Sequence, residues 1–131
     1  MKEIIIGDKL VKDFSVTEDM LACCVGSGTL KVYATPMVAA AMENSACELA
    51  QQYLGDGVTT VGTMINIEHT APTPLGAKVR VEAVLTAAEG RVFEFEITAY
   101  DECSQIAHAT HKRVSVKSES FQKKADGRIE K

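Results

Sequence analysis

The run TPMVAAAMENSACELAQQYL, residues 35–54, has no breaker after its second residue and reads as one long helix. Thr35 before Pro36 is an N-cap followed by proline at the first helical position, and Gly55-Asp56-Gly57 supplies the stop. At 100° per residue, Val38, Met42, Leu49 and Tyr53 align as a bulky apolar stripe. A second face holds only small residues, Ala39, Ala40, Ala46, Cys47 and Ala50, with Glu43 in their midst. The polar stripe of Asn44, Glu48 and Gln51 lies elsewhere. A helix that is apolar on more than one side must be covered on more than one side, so Glu43 is expected on a covered face.

Beyond the helix the hydrophobic period changes to two. Residues 58–70 put Val61, Thr63, Ile65, Ile67 and His69 on one face of a long strand. Residues 78–87 align Val79, Val81, Ala83 and Leu85. After the turn Glu89-Gly90-Arg91, residues 92–100 align Phe93, Phe95, Ile97 and Ala99 opposite Glu94 and Glu96, and a last strand is expected over 106–116. Upstream, 10–16 reads as a first strand, 20–25 as a short helix before Gly26-Ser27-Gly28, and 30–33 as a short extended piece. This is an α+β pattern: one helix laid across an antiparallel five-stranded sheet that curls around it. The folded domain is expected to span 1–117, with 118–131 a polar tail that frays.

With 131 residues the chain fits one domain, large enough to fold without staples. Aromatics are 5% and Trp is absent, so the core must rest on aliphatic and small side chains. The net charge of −4 gives no basic footprint for nucleic acid. Cys23, Cys24, Cys47 and Cys103 form neither a C-x-x-C pair nor a finger pattern, which suits a reducing compartment and implies no metal. Only three consecutive apolar residues stand near the N-terminus, and no run approaches the roughly 20 a membrane helix needs. A cytoplasmic protein without membrane partners is expected.

Three features could carry chemistry: A-T-P at the helix start, Glu43 within the helix, and H-T-A-P-T-P closing the long strand. Helix-terminal N–H groups suit a developing oxyanion, a carboxylate held away from water is a stronger base, and a histidine handles protons near neutrality. Each also has a plain structural reading: Thr35 as a simple cap, Glu43 pointing into solvent, His69 as a turn residue.

Together they resemble a known family. Thr35, Pro36 and Glu43, then Val61-Gly62, then H-T-A-P-T-P from His69 to Pro74, then G-A-K-V-R-V from Gly76 to Val81 are similar to the fluoroacetyl-CoA thioesterase-like hot-dog proteins. H-A-T-H-K-R-V, His108 to Val114, is similar to the G-x-G-x-H-x-R-x stretch that closes that family. The resemblance covers about residues 8 to 117 and implies a hot-dog fold, dimeric, in which a five-stranded antiparallel sheet wraps one long central helix. It implies an acyl-CoA thioesterase with Thr35, Glu43 and His69 as the catalytic set. Thr35 would position thioester or water, Glu43 would be base or nucleophile, and His69 would polarise the carbonyl or manage the leaving thiol's proton. It further implies that Gly62 leaves room for the acyl group and that Lys112 and Arg113 meet the phosphates of CoA. No cofactor is implied beyond CoA as part of the substrate, and the expected assembly is a homodimer or a tetramer. The fluoroacetate-specific members line and lid the acyl site with phenylalanines before the threonine. Here that segment is CCVGSGTL, Cys23 to Leu30, without an aromatic residue, so a different short or medium acyl group is expected. The competing reading is a non-catalytic acyl-CoA binding module. An enoyl-CoA hydratase is disfavoured because Asp8, Asp13, Asp56 and Asp101 all lack a histidine five residues later.

Overall fold

The period-two segments become strands in the computed structural model, which describes residues 1–129. They are β1 (Lys9–Ser15), β2 (Val58–His69), β3 (Lys78–Glu89), β4 (Val92–Tyr100) and β5 (Gln105–Lys117), all paired antiparallel in the order β1-β3-β4-β5-β2. β3, β4 and β5 form a meander; β1 and β2 are the edges. Gly90, at φ +59, begins the two-residue β3–β4 loop in the left-handed region that glycine enters without a Cβ penalty.

Between β1 and the long helix lies a short helix, α1 (Ala22–Val25). The long helix, α2 (Thr35–Gln51), crosses the inner face and touches all five strands. Val38, Met42 and Leu49 are buried on it, as Tyr53 is just beyond it, against Val79, Val81, Ala83 and Leu85 of β3 and Phe93, Phe95, Ile97 and Ala99 of β4. The apolar stripe therefore lies where the sequence places it. The small-residue face is only partly covered: Ala46 and Ala50 are buried, Ala39, Glu43 and Cys47 are half-buried, and Ala40 is exposed. Ser45, buried in mid-helix, satisfies its hydroxyl on the Ala41 carbonyl at 2.9 Å. This is the hot-dog arrangement.

Two local expectations change. The β2–β5 register slips between Gly62 and Met64, leaving Thr63 as the extra residue of a β-bulge. Gly62 faces Arg113 across the ladder, and Ile65, Ile67 and His69 face His111, Ala109 and Ala107, all toward the helix. Val61 pairs with Val114 and lies on the opposite face, so one phase does not run through the strand. Beyond β5, the tail expected to fray forms α3 (Ser118–Gly127). None of its residues is buried, and most of what orders it is local. Glu119 and Lys124 match the helix dipole, Lys123 pairs with Glu119 at 3.6 Å, and the Ser118 N–H is tied to Gly57 O at 2.9 Å. The last two residues of the tail, 130 and 131, lie outside the described residues. Among the described residues, no helix is long and apolar enough to cross a membrane.

Candidate active site

Thr35 does not cap α2. Ala34 holds the N-cap position with extended backbone, Thr35 is the first helical residue and Pro36 the second. Pro36 has no N–H, and the N–H groups of Met37 and Val38 already donate to Ala34 O at 2.9 and 3.0 Å. Of the first helical turn, the Thr35 N–H is thus, among the described residues, the one without a backbone acceptor. The Thr35 hydroxyl, free of capping, sits 2.8 Å from His69 Nδ1 at the end of β2.

This pairing is held from behind. The segment after His69 is clamped to the chain entering α2: the Tyr33 N–H donates to Thr73 O at 2.8 Å, and Val32 bridges Pro74. The buried Thr73 hydroxyl donates to Asp101 Oδ2 at 3.0 Å, and Asp101 Oδ1 accepts from the N–H groups of Cys103 and Ser104. Desolvation raises the Asp101 carboxyl, yet these donors outweigh it and hold the group below its ordinary range. H-T-A-P-T-P thereby ties the end of β2 to the chain entering α2.

His69 is half-buried, and desolvation lowers its proton affinity more than the Ala71 backbone restores it, so the ring is neutral at pH 7. Its Nε2 is buried and has no hydrogen-bond partner among the described residues. The ring lines a cleft of about 310 Å³ with Tyr33, Ala34, Thr35, Ala71 and Pro72, and Ala22 and Ser27 flank the cleft from the stretch around Cys23–Leu30.

Glu43 lies two turns further along α2, and among the described residues no hydrogen bond joins it to Thr35 or His69. It meets β2 at Gly62 instead. A Cβ on Gly62 would lie 2.8 Å from Glu43 Oε2, 3.3 Å from His111 Cε1 and 3.4 Å from Arg113 Nη1. Glycine serves close approach here and not a turn, since its backbone is not in the left-handed region.

Lys112 and Arg113 part company. Lys112 is exposed on the outer face, beside Glu94 in register. Arg113 is only 6% exposed and faces inward. Its Nε donates to Thr60 Oγ1 at 2.7 Å, Nη2 to Thr60 O at 3.0 Å, and Nη1 lies 3.2 Å from His111 Nε2. The expectation that Arg113 meets a CoA phosphate does not suit a guanidinium turned into the core. Alternation along β5 is the cause, because neighbours on a strand face opposite ways. Among the described residues no cluster of His, Cys, Asp and Glu could hold a metal ion.

Residues 16–119 match the protein family FlK, fluoroacetyl-CoA-specific thioesterase. The fluoroacetyl-CoA thioesterase of Streptantibioticus cattleyicolor is 35% identical over 94 residues, which make up 72% of this chain and 68% of that protein. A solved structure of the fluoroacetyl-CoA thioesterase FlK superposes with a TM-score of 0.94 at 27% identity, covering 98% of this chain and 100% of that one. A point mutant of FlK in complex with fluoroacetate and CoA superposes with a TM-score of 0.86 at 29% identity, covering 90% and 99%. This chain belongs to the fluoroacetyl-CoA-specific thioesterase family. Membership makes it a thioester hydrolase of hot-dog fold. What the sequence reading of this thioesterase missed is His111, buried between Arg113 and the Met64 carbonyl. The signal was H-x-R on a strand: residues two apart share a face, so a buried Arg113 takes His111 inside with it.

Proposed function

We propose that the chain hydrolyses a short or medium acyl-CoA to the free acid and CoA, with Thr35, Glu43 and His69 as its catalytic set. The observation that carries this reading is the 2.8 Å contact between Thr35 Oγ1 and His69 Nδ1, with Nε2 of the same ring buried and without a hydrogen-bond partner among the described residues. With the Thr35 hydroxyl donating to Nδ1, the neutral imidazole carries its proton on Nε2, available to polarise a thioester carbonyl. Glu43 then either takes a proton from the attacking water or attacks the carbonyl itself, forming a transient acyl anhydride. On the first route the proton Glu43 takes from water passes to the CoA sulfur as the C–S bond breaks. On the second His69 gives its Nε2 proton to the departing sulfur, and water then cleaves the anhydride to the free acid, restoring the Glu43 carboxylate and the His69 proton. Gly62 provides the open space for the acyl group, and Lys112 is the solvent-facing cation of its pair for CoA phosphates. No cofactor takes part beyond the CoA of the substrate.

The acyl preference departs from fluoroacetate because Cys23–Leu30 offers no aromatic side chain to close over the cleft. The protein works in the cytoplasm as a homodimer. β2 is a sheet edge, Gly62, Thr63 and Met64 on it are exposed, and the Glu43 face of α2 is half-covered. A second copy paired along β2 would cover all three. A monomeric mass by light scattering, with full activity, would contradict the dimer.

The deciding experiment measures free CoA thiol released from acyl-CoAs of increasing chain length, fluoroacetyl-CoA included, for the wild type, Glu43→Gln and His69→Ala. Turnover by the wild type that falls by about a hundredfold or more in both variants is expected. Binding of acyl-CoA without turnover by the wild type would make the protein an acyl-CoA binding module instead.

A further inference from the structure

Arg113 and Glu43 converge on the same gap over Gly62, yet among the described residues no ion pair joins them. We propose that His111 is a positioning residue which, by accepting a hydrogen bond from Arg113 Nη1, holds the guanidinium away from Glu43 and leaves the carboxylate free to act. The inference rests on the role given above to Glu43.

The protonation of His111 follows from its neighbours. Nδ1 lies 2.8 Å from Met64 O, and a carbonyl can only accept, so Nδ1 carries the hydrogen. Nε2 lies 3.2 Å from Arg113 Nη1, and a guanidinium can only donate, so Nε2 offers its lone pair. The ring is therefore the neutral Nδ1–H tautomer. Burial and the adjacent Arg113 charge both oppose a second proton, outweighing Met64 O and Glu43, which favour it. The ring packs against Phe95, with centroids 6.0 Å apart.

Three acceptors thus hold Arg113: Thr60 Oγ1, Thr60 O and His111 Nε2. Of these, only His111 engages Nη1, the nitrogen nearest the Gly62 gap. Without it, Nη1 would be a buried charged donor seeking an acceptor, and Glu43 Oε2 stands across the gap. An ion pair closed there would stabilise the ionised carboxylate and weaken it as base or nucleophile. At the Gly62 gap beside Glu43, β5 brings His111 and Arg113, β2 has no charged residue between Thr60 and Ile65, and α2 itself carries the Cys47 thiol one turn on from Glu43.

The test is the titration of the Glu43 carboxyl carbon by NMR on the full chain, labelled with ¹³C-glutamate and assigned by its absence in Glu43→Gln. His111→Phe is expected to lower the midpoint by about half a pH unit or more. His111→Gln, which keeps one acceptor and one donor, should retain the wild-type midpoint. In an Arg113→Met background His111→Phe should shift nothing further, because the charge it releases is gone. With a substrate in hand, His111→Phe should lower kcat about tenfold while KM stays within about threefold, and His111→Gln should recover most of the loss. Should His111→Phe fail to fold by circular dichroism, His111→Asn, too short to reach Arg113, is expected to show the same downward shift. A midpoint that is unmoved or raised in these variants overturns the inference. Because the titration needs no turnover, a wild type inactive on every thioester would sink the thioesterase reading of this site while leaving the standoff itself measurable.

Discussion

Gly62 is the residue that leaves room for the carboxylate of the proposed site. It carries no turn and no strained backbone; what it provides is a missing methyl group, at a point where Glu43, His111 and Arg113 all press in. Gly62→Ala places a Cβ 2.8 Å from Glu43 Oε2, and the carboxylate, being the end of a flexible side chain, is what must move. We expect kcat/KM to fall about tenfold or more while the melting temperature stays within a few degrees, read by thiol release and by thermal denaturation. Unchanged kinetics would mean that the position of the carboxylate over Gly62 is irrelevant to turnover. Thr35 teaches a different lesson. Its sequence context, Thr before Pro at a helix start, has the form of a cap, and the residue is one position too late to be one. Only the distance to His69, 34 residues away, shows where the hydroxyl goes instead.

At the scale of elements, α3 and β2 contrast. α3 is stabilised by its own ion pair and dipole matching and buries nothing, so removing residues 118–131 should leave the melting temperature within about 2 °C and activity unchanged. A large loss of either would show that the helix docks on something in solution. α2 was legible because its apolar stripe repeats over several turns, and β3 and β4 because alternation runs from Val79 to Leu85 and from Phe93 to Ala99 along their inner faces, although the β3–β4 register shifts between Leu85 and Ala87. β2 was half legible. Its apolar and β-branched residues announce a strand, but the extra Thr63 leaves no mark in composition; a bulge is a relation to the neighbouring strand, visible only in the pairing with β5. The phase error that followed put Val61 with Ile65 and hid the fact that Gly62, not Val61, looks at the helix. His111 was missed for a related reason. A single histidine among alternating residues is ambiguous until burial decides which face it joins.

For the molecule as a whole, His69 and His111 couple stability to pH. Both rings resist protonation when folded, chiefly through desolvation, whereas the unfolded chain takes up those protons around the ordinary value of 6.5. Below that pH the unfolded state binds more protons than the native state. The stability these two groups contribute is therefore fully present above about pH 6.5 and is lost as the pH falls through 6.5 toward their lower native values. Denaturant midpoints should decline from pH 7 to pH 5, and His111→Gln should make that decline shallower. An identical slope would show that His111 gains its proton as readily in the fold as out of it.

The bulge at Thr63 also bears on how the protein avoids becoming a fibre. An open sheet with two usable edges can add copies without end, each one's β2 laid against the next one's β1. Here the two edges do not match: β1 has seven residues and carries Lys9, Lys12 and Asp13, while β2 has twelve and is kinked in mid-length. A strand that fits neither the length nor the curvature of its opposite edge cannot seed head-to-tail growth. In the dimer proposed above it would meet another copy of itself, kink to kink, about a two-fold axis, and that encounter would use up the β2 edge.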